Sequence, residues 1–198
     1  MDWHSRRISA ILEHALLEDR ATSDATSRAC IDPQQRATAT ILAKQDCILS
    51  GVGSAARILD TRKTAPGLRV LDKYAVRCGG GQNHRLDLSD GILLKNNHIA
   101  LAGGVAAALE KALRNRHEEQ PVEIEVRTMA ELEEALAHGA ETVLLDNMKV
   151  DDVRAAVAHV RAHSRHVPVE ASGGIHLENV RAYAETGVDY ISVGALTH

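Results

Sequence analysis

Basic side chains collect in three short segments of this chain, although the chain as a whole is acidic. Its 23 Lys and Arg residues face 27 Asp and Glu residues, a formal net charge of −4. Two of the segments follow runs rich in Leu and Ile, and the third follows a glycine triplet. The basic set comprises Arg62, Lys63, His84, Arg85, Lys95 and His98. Because the arginine guanidinium pairs with carboxylates and phosphates in a bidentate way, this set predicts a site for an anionic substrate.

Acidic residues follow the apolar runs further along the chain. Glu123 and Glu125 lie two positions apart and so share one face of a strand, and Asp146 closes the next apolar run. Carboxylates placed in this way can hold a divalent cation or the hydroxyl groups of a sugar. They can equally pair with Lys95 and the arginines, and the residues alone leave both interpretations open.

Glycines follow the last two apolar runs, in Ser172-Gly173-Gly174 and at Gly194. Glycines leave backbone N–H groups accessible, and barrel enzymes commonly bind a phosphate after their final strands. A Gly-Gly pair alone is more often an ordinary turn. The position of these glycines after the last strands predicts a phosphate site.

The elements that must position these residues alternate between strand and helix from residue 58 onward. Alternation of this kind predicts parallel strands joined by helical crossovers. The predicted helices span about residues 101–117, 129–138, 150–163 and 177–186. The predicted strands span residues 57–62, 92–95, 122–126, 142–146, 167–171 and 190–193.

Two α/β architectures fit this pattern, an open doubly wound sheet and a barrel. A doubly wound sheet normally carries a G-x-G-x-x-G loop after its first strand, whereas Gly79-Gly80-Gly81 lacks that spacing and follows a helix-like stretch. Polar residues at the C-terminal end of nearly every strand favour the barrel. A full eightfold barrel takes about 200–250 residues, and only residues 58–198 are available here. We therefore predict an α/β fold with an incomplete, open TIM-like β/α barrel.

Residues 1–53 differ from the rest and form a separate predicted unit, with residues 54–198 as the barrel. An amphipathic helix is predicted over residues 8–17, and two strands about a turn over residues 37–52. A unit of about fifty residues lies near the lower limit for folding alone without disulfides or metal. We therefore expect this unit to need a partner surface.

The composition excludes several classes of function. With 44% hydrophobic and 25% charged residues, the chain is typical of a globular protein rather than a disordered one. Its acidity and its 2% aromatic content argue against nucleic-acid binding. No apolar run reaches the length of a membrane span, which predicts a cytoplasmic protein with no membrane partner. The widely spaced cysteines, interpreted as reduced and incidental thiols, are Cys30, Cys47 and Cys78.

A series of motifs in fixed order resembles one known family. The motifs are Asp60-Thr-Arg-Lys-Thr-x-Pro-Gly, Gly79-Gly-Gly-x-Asn-His-Arg, Leu93-x-Lys-x-Asn-His, Glu123-x-Glu-Val, Leu145-Asp-Asn-Met, Glu170-Ala-Ser-Gly-Gly-Ile and Ile191-Ser-x-Gly-Ala-Leu-Thr-His. From about residue 58 to residue 198 the chain is similar to quinolinate phosphoribosyltransferase, also called nicotinate-nucleotide pyrophosphorylase (carboxylating). The resemblance implies a pentosyltransferase of de novo NAD biosynthesis. The family converts quinolinate and phosphoribosyl pyrophosphate, with Mg²⁺, to nicotinate mononucleotide, pyrophosphate and carbon dioxide.

The resemblance also implies a role for each matching residue. The residues implied to bind the two quinolinate carboxylates are Arg62, His84, Arg85 and Lys95, with Lys63 beside them facing the pyrophosphate. Those implied to hold the ribose hydroxyls and the Mg²⁺ are Glu125 and Asp146. Those implied to bind the 5′-phosphate are Ser172, Gly173 and Gly194. The implied catalytic residues are Lys63, Lys95, Glu125 and Asp146.

The chain also departs from the family pattern. Residues 20–52 resemble the start of the family's N-terminal sandwich domain, so residues 1–53 are expected to be a remnant of it. A Glu-Arg-x-Ala-Leu-Asn motif, whose arginine reaches the neighbouring subunit's quinolinate site, is absent, and Asn96 replaces a commonly acidic residue. The family's usual closing strand would follow His198. These differences predict an internally deleted and C-terminally shortened member, expected to form a homodimer or a larger oligomer.

Two alternatives to the full enzyme remain open. The missing segments favour a non-catalytic fragment that binds phosphorylated ligands or associates with a full-length homologue. A molybdenum-transport-associated branch of the same fold would use a different acceptor in place of quinolinate.

Overall fold

The computed structural model describes residues 9, 10, 13, 56–65, 67–117, 120–163 and 166–197. Within these residues, six short parallel strands form one sheet. The strands are β1 (Arg57–Leu59), β2 (Ile92–Leu94), β3 (Val122–Val126), β4 (Thr142–Asp146), β5 (Val169–Ser172) and β6 (Tyr190–Ser192). Each lies where the sequence predicts a strand, and the parallel pairing confirms the predicted α/β class.

The sheet has the order β1-β6-β5-β4-β3-β2, so consecutive strands are neighbours from β2 to β6. On the other side of β1, Gln82 forms an isolated parallel bridge to Leu59. Among the described residues, no strand pairing joins the Gln82 segment to β2, and the sheet is open at that point. The prediction of an open, incomplete barrel is confirmed.

Helices occupy the connections between the strands. They are α1 (Arg69–Cys78), α2 (Asn96–Ala102), α3 (Val105–Asn115), α4 (Met129–Ala137), α5 (Val150–Ala162) and α6 (Val180–Ala184). α1 coincides with the helix-like stretch that precedes the glycine triplet. α6 is shorter than the predicted helix over residues 177–186.

The single helix predicted over residues 101–117 is wrong, because the structure has two helices there. α2 ends before Gly103, whose φ is 98°, and α3 begins after Gly104, whose φ is 129°. Glycine adopts positive φ without the steric cost that a Cβ atom imposes, and such residues interrupt a helix. The Gly-Gly pair therefore divides the helix, and α2 begins directly after Lys95.

Several predicted strand ends shift by one to three residues. β1 ends at Leu59 rather than at residue 62, and the backbone N–H of Asp60 then donates to the carbonyl of Gln82 at 3.1 Å. β5 begins at Val169 rather than at residue 167, because Pro168 has no N–H to donate to a neighbouring strand. These shifts leave the polar residues that follow each strand at the same end of the sheet.

The core lies between the sheet and the helices. In β3 the side chains of Val122, Ile124 and Val126 are at most 1% exposed, whereas the alternating Glu123 and Glu125 are half-buried. Successive strand residues point to opposite faces of a sheet. The alternation that buries the apolar core therefore presents the two glutamates on the other face.

Most of residues 1–53 lie outside the described residues. Ser9, Ala10 and Glu13 are helical, in agreement with the helix predicted over residues 8–17. The two strands predicted over residues 37–52 fall outside the described part of the chain. Where the chain is described, no helix combines the length and the apolar character needed to cross a membrane.

Candidate active site

A buried ion pair fixes the segment that carries His84. Asp60 and Lys73 are at most 1% exposed, and Lys73 Nζ lies 2.6 Å from Asp60 Oδ1. Asp60 also accepts hydrogen bonds from Asn83 Nδ2 at 2.6 Å and from the His84 N–H at 2.8 Å. Lys73 Nζ donates in addition to the His84 carbonyl at 3.0 Å. The network ties β1 and α1 to the loop after Gln82.

The imidazole of His84 faces two glutamates on neighbouring strands. Its Nδ1 accepts a 2.7 Å hydrogen bond from the Arg85 N–H, so the ring proton of the neutral form is on Nε2. Nε2 lies 3.2 Å from Glu123 Oε2 and 3.6 Å from Glu170 Oε2. Burial lowers the pKa of His84, but the hydrogen bond that its Nε2 donates to Glu123 and the charges of the two carboxylates outweigh burial and raise the pKa above its usual value.

Glu170 is a buried carboxyl group without a full set of partners. Its side chain is 3% exposed, and within the described residues its Oε1 has no hydrogen-bond partner. Burial, and then the negative charge of Glu123, raise the pKa of Glu170 to about 8. At neutral pH the Glu170 carboxyl is therefore largely protonated.

His84, Glu123 and Glu170 have the residue types of a metal site, and one ligand atom from each lies within 4.8 Å of the others. A metal on Nε2 requires the ring proton to be on Nδ1. Here Nδ1 already accepts the Arg85 N–H. The three side chains therefore suit a proton-sharing cluster better than a metal centre.

Arg62 and Arg85 lie close enough for their positive charges to interact, and each has a buried Nε donor without a partner among the described residues. Arg85 Nη1 donates to the Gly91 carbonyl at 2.8 Å. The Nε atoms of both arginines are buried and lack hydrogen-bond partners within the described part of the chain. Burial, and then the positive charge of Arg62, lower the pKa of Arg85. Two half-buried arginines of like charge, each with a buried Nε that lacks a partner in the part of the chain described, are the arrangement that an anionic ligand would relieve.

Glu125 and Asp146 end neighbouring strands, and the structure brings them together around one arginine. Arg127 Nη2 lies 3.1 Å from Glu125 Oε1 and 3.1 Å from Asp146 Oδ2. Burial, and then the charge of Asp146, raise the pKa of Glu125, while Arg127 and Lys95 act in the opposite direction. Pairing with an arginine was one of the two interpretations that the sequence left open.

The same carboxylate pair suits a magnesium ion by its chemistry. Glu125 and Asp146 supply hard oxygen donors, which Mg²⁺ prefers. Both carboxylates already contact one cationic group, the guanidinium of Arg127. The residues present therefore fit a divalent cation at this pair.

Lys63 and Lys95 are exposed residues that follow β1 and β2. The Lys63 carbonyl accepts a 2.6 Å hydrogen bond from the Thr197 hydroxyl, which joins the loop after β1 to the loop after β6. The Lys95 N–H donates to His98 Nδ1 at 3.1 Å at the start of α2. His98 thus has a local role at the helix start, where the sequence analysis placed it in the basic set.

The predicted phosphate residues lie at the end of β5 and in the tight backbone turns after β5 and β6. Gly173 has a φ of 95°, and a Cβ atom there would collide with the side chain of Asn147. The Asn147 N–H donates to the Ser172 carbonyl at 2.8 Å, with Asn147 itself at a φ of 56°. Gly194 begins a short 3₁₀ helix, Gly194–Leu196. Close backbone approach thus requires a glycine at residue 173.

Three residues that contact the predicted site residues were not predicted from the sequence. Lys73 lies three residues before the buried Val76, so a charge on the apolar face of α1 was the available signal. Glu170 interrupts the apolar strand β5 in the same way. Arg127 lies two residues after Glu125, a spacing that places both side chains on one side of the chain.

The comparisons with known proteins agree with the motifs. The family described as quinolinate phosphoribosyl transferase, C-terminal domain, matches residues 37–198. A nicotinate-nucleotide pyrophosphorylase (carboxylating) from Mycobacterium leprae is 51% identical over 146 residues, which cover 74% of this chain and 51% of that protein. The chain thus spans about half the length of the curated relatives that it matches.

Solved structures of the same family align with this chain. The nicotinate-nucleotide pyrophosphorylase of Francisella tularensis aligns with a TM-score of 0.67 and 48% identity, covering 72% of this chain and 49% of that one. The enzyme of the same name from Ehrlichia chaffeensis gives a TM-score of 0.68 and 42% identity, covering 74% and 52%. These matches confirm the resemblance and the TIM-like fold. The chain belongs to the quinolinate phosphoribosyltransferase family, and the match covers the family's C-terminal domain.

Proposed function

We propose that this chain transfers a phosphoribosyl group to quinolinate. Quinolinate and phosphoribosyl pyrophosphate would be converted to nicotinate mononucleotide, pyrophosphate and carbon dioxide. The names of the relatives support this reaction, and it remains a proposal because the chain spans only about half of their length. We further propose a homodimer as the active form, and the predicted cytoplasmic location stays a prediction.

The observation that carries the proposal is a pair of half-buried arginines, each with an unused donor at a buried Nε. Within the described residues, Arg62 Nε and Arg85 Nε are buried and have no hydrogen-bond partner. An unpaired buried donor costs free energy, and the carboxylates of a ligand would remove that cost. A dianion such as quinolinate supplies one carboxylate for each guanidinium. We assign Lys95 and His84 to the same subsite, since Lys95 follows β2 and His84 directly precedes Arg85.

The acidic pair supports the transfer step. Departure of pyrophosphate leaves positive charge on the ribose, and fixed carboxylates near the sugar stabilise that charge in a site of low dielectric constant. We assign this role to Glu125 and Asp146, which would also hold Mg²⁺. When bound, Mg²⁺ would neutralise charge on the pyrophosphate leaving group. Lys63 would stabilise the same leaving anion.

Binding of quinolinate through its carboxylates would orient the ring nitrogen toward the anomeric carbon of the ribose. Much of the entropic cost of bringing the two substrates together is then met by binding. The nitrogen lone pair forms the new bond as the bond to pyrophosphate breaks, and the ring becomes cationic. The adjacent carboxylate can then leave as carbon dioxide, because the cationic ring stabilises the electron pair left on carbon until a proton replaces it.

The turns after β5 and β6 would hold the 5′-phosphate. Ser172 offers a hydroxyl, and Gly173 and Gly194 offer backbone N–H groups without a side chain in the way. The hydrogen bond from the Thr197 hydroxyl to the Lys63 carbonyl supports a phosphate subsite beside the proposed pyrophosphate subsite. This arrangement supports a substrate with phosphate groups at both ends of a ribose.

The proposal is tested by turnover of the purified chain with both substrates and Mg²⁺. Formation of nicotinate mononucleotide and carbon dioxide, well above a Lys95→Ala blank, would support it. A folded sample with background turnover would instead favour a ligand-binding domain that lacks the chemistry. Binding of phosphoribosyl pyrophosphate without binding of quinolinate would favour the molybdenum-transport-associated branch with another acceptor.

A further inference from the structure

Arg127 lies between the two carboxylates that we assign to magnesium. Its Nη2 is 3.1 Å from an oxygen of each carboxylate, and its Nε donates to the same Asp146 oxygen at 3.1 Å. One guanidinium therefore compensates the charge of both Glu125 and Asp146. A divalent cation cannot share this position with the guanidinium, because like charges at such distances repel strongly.

We propose that Arg127 is a built-in counter-cation, which holds Glu125 and Asp146 until Mg²⁺ binds and then leaves them. The inference rests on the magnesium-dependent transfer proposed above. It makes Arg127 a residue that sets the affinity of the site for the metal, because a metal ion must first displace the guanidinium. Without this arginine the two carboxylates would be free to take up a divalent cation at lower concentration.

The side chain of Arg127 has room to move. It is 49% exposed, and it lines a cleft of about 400 Å³ together with Glu125 and Glu131. The Glu131 carboxylate already accepts the Arg127 N–H at 2.7 Å, so it lies near the base of the arginine side chain. Rotation of the Arg127 side chain into the cleft would move the guanidinium from Glu125 and Asp146 toward the Glu131 carboxylate. The displaced guanidinium therefore keeps a counter-ion.

The contacts of the Arg127 side chain are separate from those that build the fold around it. α4 starts with the Thr128 hydroxyl accepting the Glu131 N–H at 3.2 Å, and the Arg127 backbone N–H bonds to Glu131. Neither contact uses the guanidinium. The other partners of the carboxylates are the Asn147 amide, which donates to Asp146 Oδ1 at 2.9 Å, and the nearby charge of Lys95. Replacement of the Arg127 side chain leaves all of these in place.

The test measures binding of Mn²⁺ alone to the full chain, by electron paramagnetic resonance of the free ion. Three proteins are compared, the wild type, Arg127→Gln and Arg154→Gln. Arg154 is a matched control, because it is 54% exposed and pairs with Asp151 at 2.6 Å on α5, away from the site. We expect Arg127→Gln to bind Mn²⁺ about tenfold more tightly than the wild type, and Arg154→Gln to match the wild type. Circular dichroism confirms that each sample is folded.

Equal Mn²⁺ affinity of the wild type and Arg127→Gln, including no measurable binding by either, would overturn the inference. A double variant, Arg127→Gln with Glu125→Gln, should lose the gain, and a retained gain would also overturn it, because the metal would then bind elsewhere. These results do not depend on turnover. An inactive chain that shows the tenfold gain would refute the proposed function and still support the inference.

A second measurement follows the arginine itself. The Nε–H signal of Arg127 in a ¹⁵N-labelled wild type can be assigned by its loss in Arg127→Gln. Added Mg²⁺ should shift this signal and leave that of Arg154 unchanged. An Arg127 signal that does not respond at Mg²⁺ concentrations that saturate the site would contradict displacement of the guanidinium.

Discussion

The Lys73 ammonium lies 2.6 Å from the Asp60 carboxylate, and neither side chain is more than 1% exposed. The pair joins β1 to α1, and Asp60 extends the connection to the backbone of His84. A buried ion pair adds little net stability compared with apolar residues, but loss of one partner leaves an uncompensated buried charge. In this protein the Asp60–Lys73 pair fixes the position of the loop that carries His84 and Arg85.

Lys73→Met should destabilise the protein strongly, because Asp60 would remain buried without its counter-ion. We expect a loss of about 3–5 kcal/mol in the free energy of unfolding, measured by urea denaturation. Adding Asp60→Asn, which removes the buried charge, should recover part of the loss. Lys111→Met is the control, since Lys111 is exposed and donates a hydrogen bond to the Ala102 carbonyl, and it should change stability by less than about 0.5 kcal/mol. Equal stability of Lys73→Met and Lys111→Met would contradict the assignment.

The buried Glu170 should make the folded protein less stable as the pH rises. Its pKa is raised from 4.5 to about 8, so between these values the folded state keeps a proton that the unfolded state has released. The contribution of Glu170 to the free energy of unfolding is fully present below the pKa of the unfolded state. It falls as the pH rises toward the pKa of the folded state, with a slope on the order of 1 kcal/mol per pH unit. Urea unfolding at several pH values across this window measures the slope.

Glu170→Gln is the matched variant for this pH dependence. Glutamine keeps the shape of the protonated glutamate but cannot lose the proton, so the slope should become shallower. Some slope should remain, because the raised pKa values of His84 and Glu125 act in the same direction. An identical slope in the variant and the wild type would show that Glu170 does not carry the proton.

Arg85→Ala should weaken binding of quinolinate, because it removes one of the two guanidinium groups with an unused buried donor. Truncation of one partner of a desolvated ion pair costs about 2–5 kcal/mol, which isothermal titration calorimetry would detect. Arg114→Ala removes an exposed arginine on α3 and serves as the control. Unchanged affinity in a folded Arg85→Ala protein would remove Arg85 from the site.

Gly173→Ala should be more harmful than Gly174→Ala, although the two glycines are adjacent. Both have positive φ, 95° and 61°, so both substitutions add backbone strain of about 1–2 kcal/mol. At residue 173 the new Cβ would also collide with the side chain and the backbone N of Asn147, whereas at residue 174 it would meet nothing within 4 Å. Thermal denaturation of the two variants measures the difference. A Gly174→Ala protein that is no more stable than Gly173→Ala would show that Asn147 moves away at little cost.

The candidate site brings together residues that are remote in the sequence, and no single segment predicts these contacts. His84 and Glu123 are separated by 39 positions, yet their side chains are 3.2 Å apart. The sequence predicted only that His84 belongs to a basic set and that Glu123 shares one face of a strand with Glu125. It did not predict that His84 would face Glu123 and Glu170 rather than the basic residues beside it in the chain.

Local chemistry explains what the sequence determined by itself. Apolar periodicity and the polar residues after each apolar run depend only on neighbouring residues. They predicted the strand positions, the α/β class and the end of the sheet where the candidate site lies. The series of motifs in fixed order, from Asp60 to His198, was sufficient to identify the family. The division of one predicted helix at Gly103 and Gly104 was the main local error.

Only the tertiary structure decided which charges pair. Arg127 rather than Lys95 forms the ion pairs with Glu125 and Asp146, and Lys73 is buried against Asp60. The interaction between two charges depends on their distance and on how far both are removed from water. Both quantities are set by the packing of separate strands and helices around a common core, so no spacing along the chain specifies them.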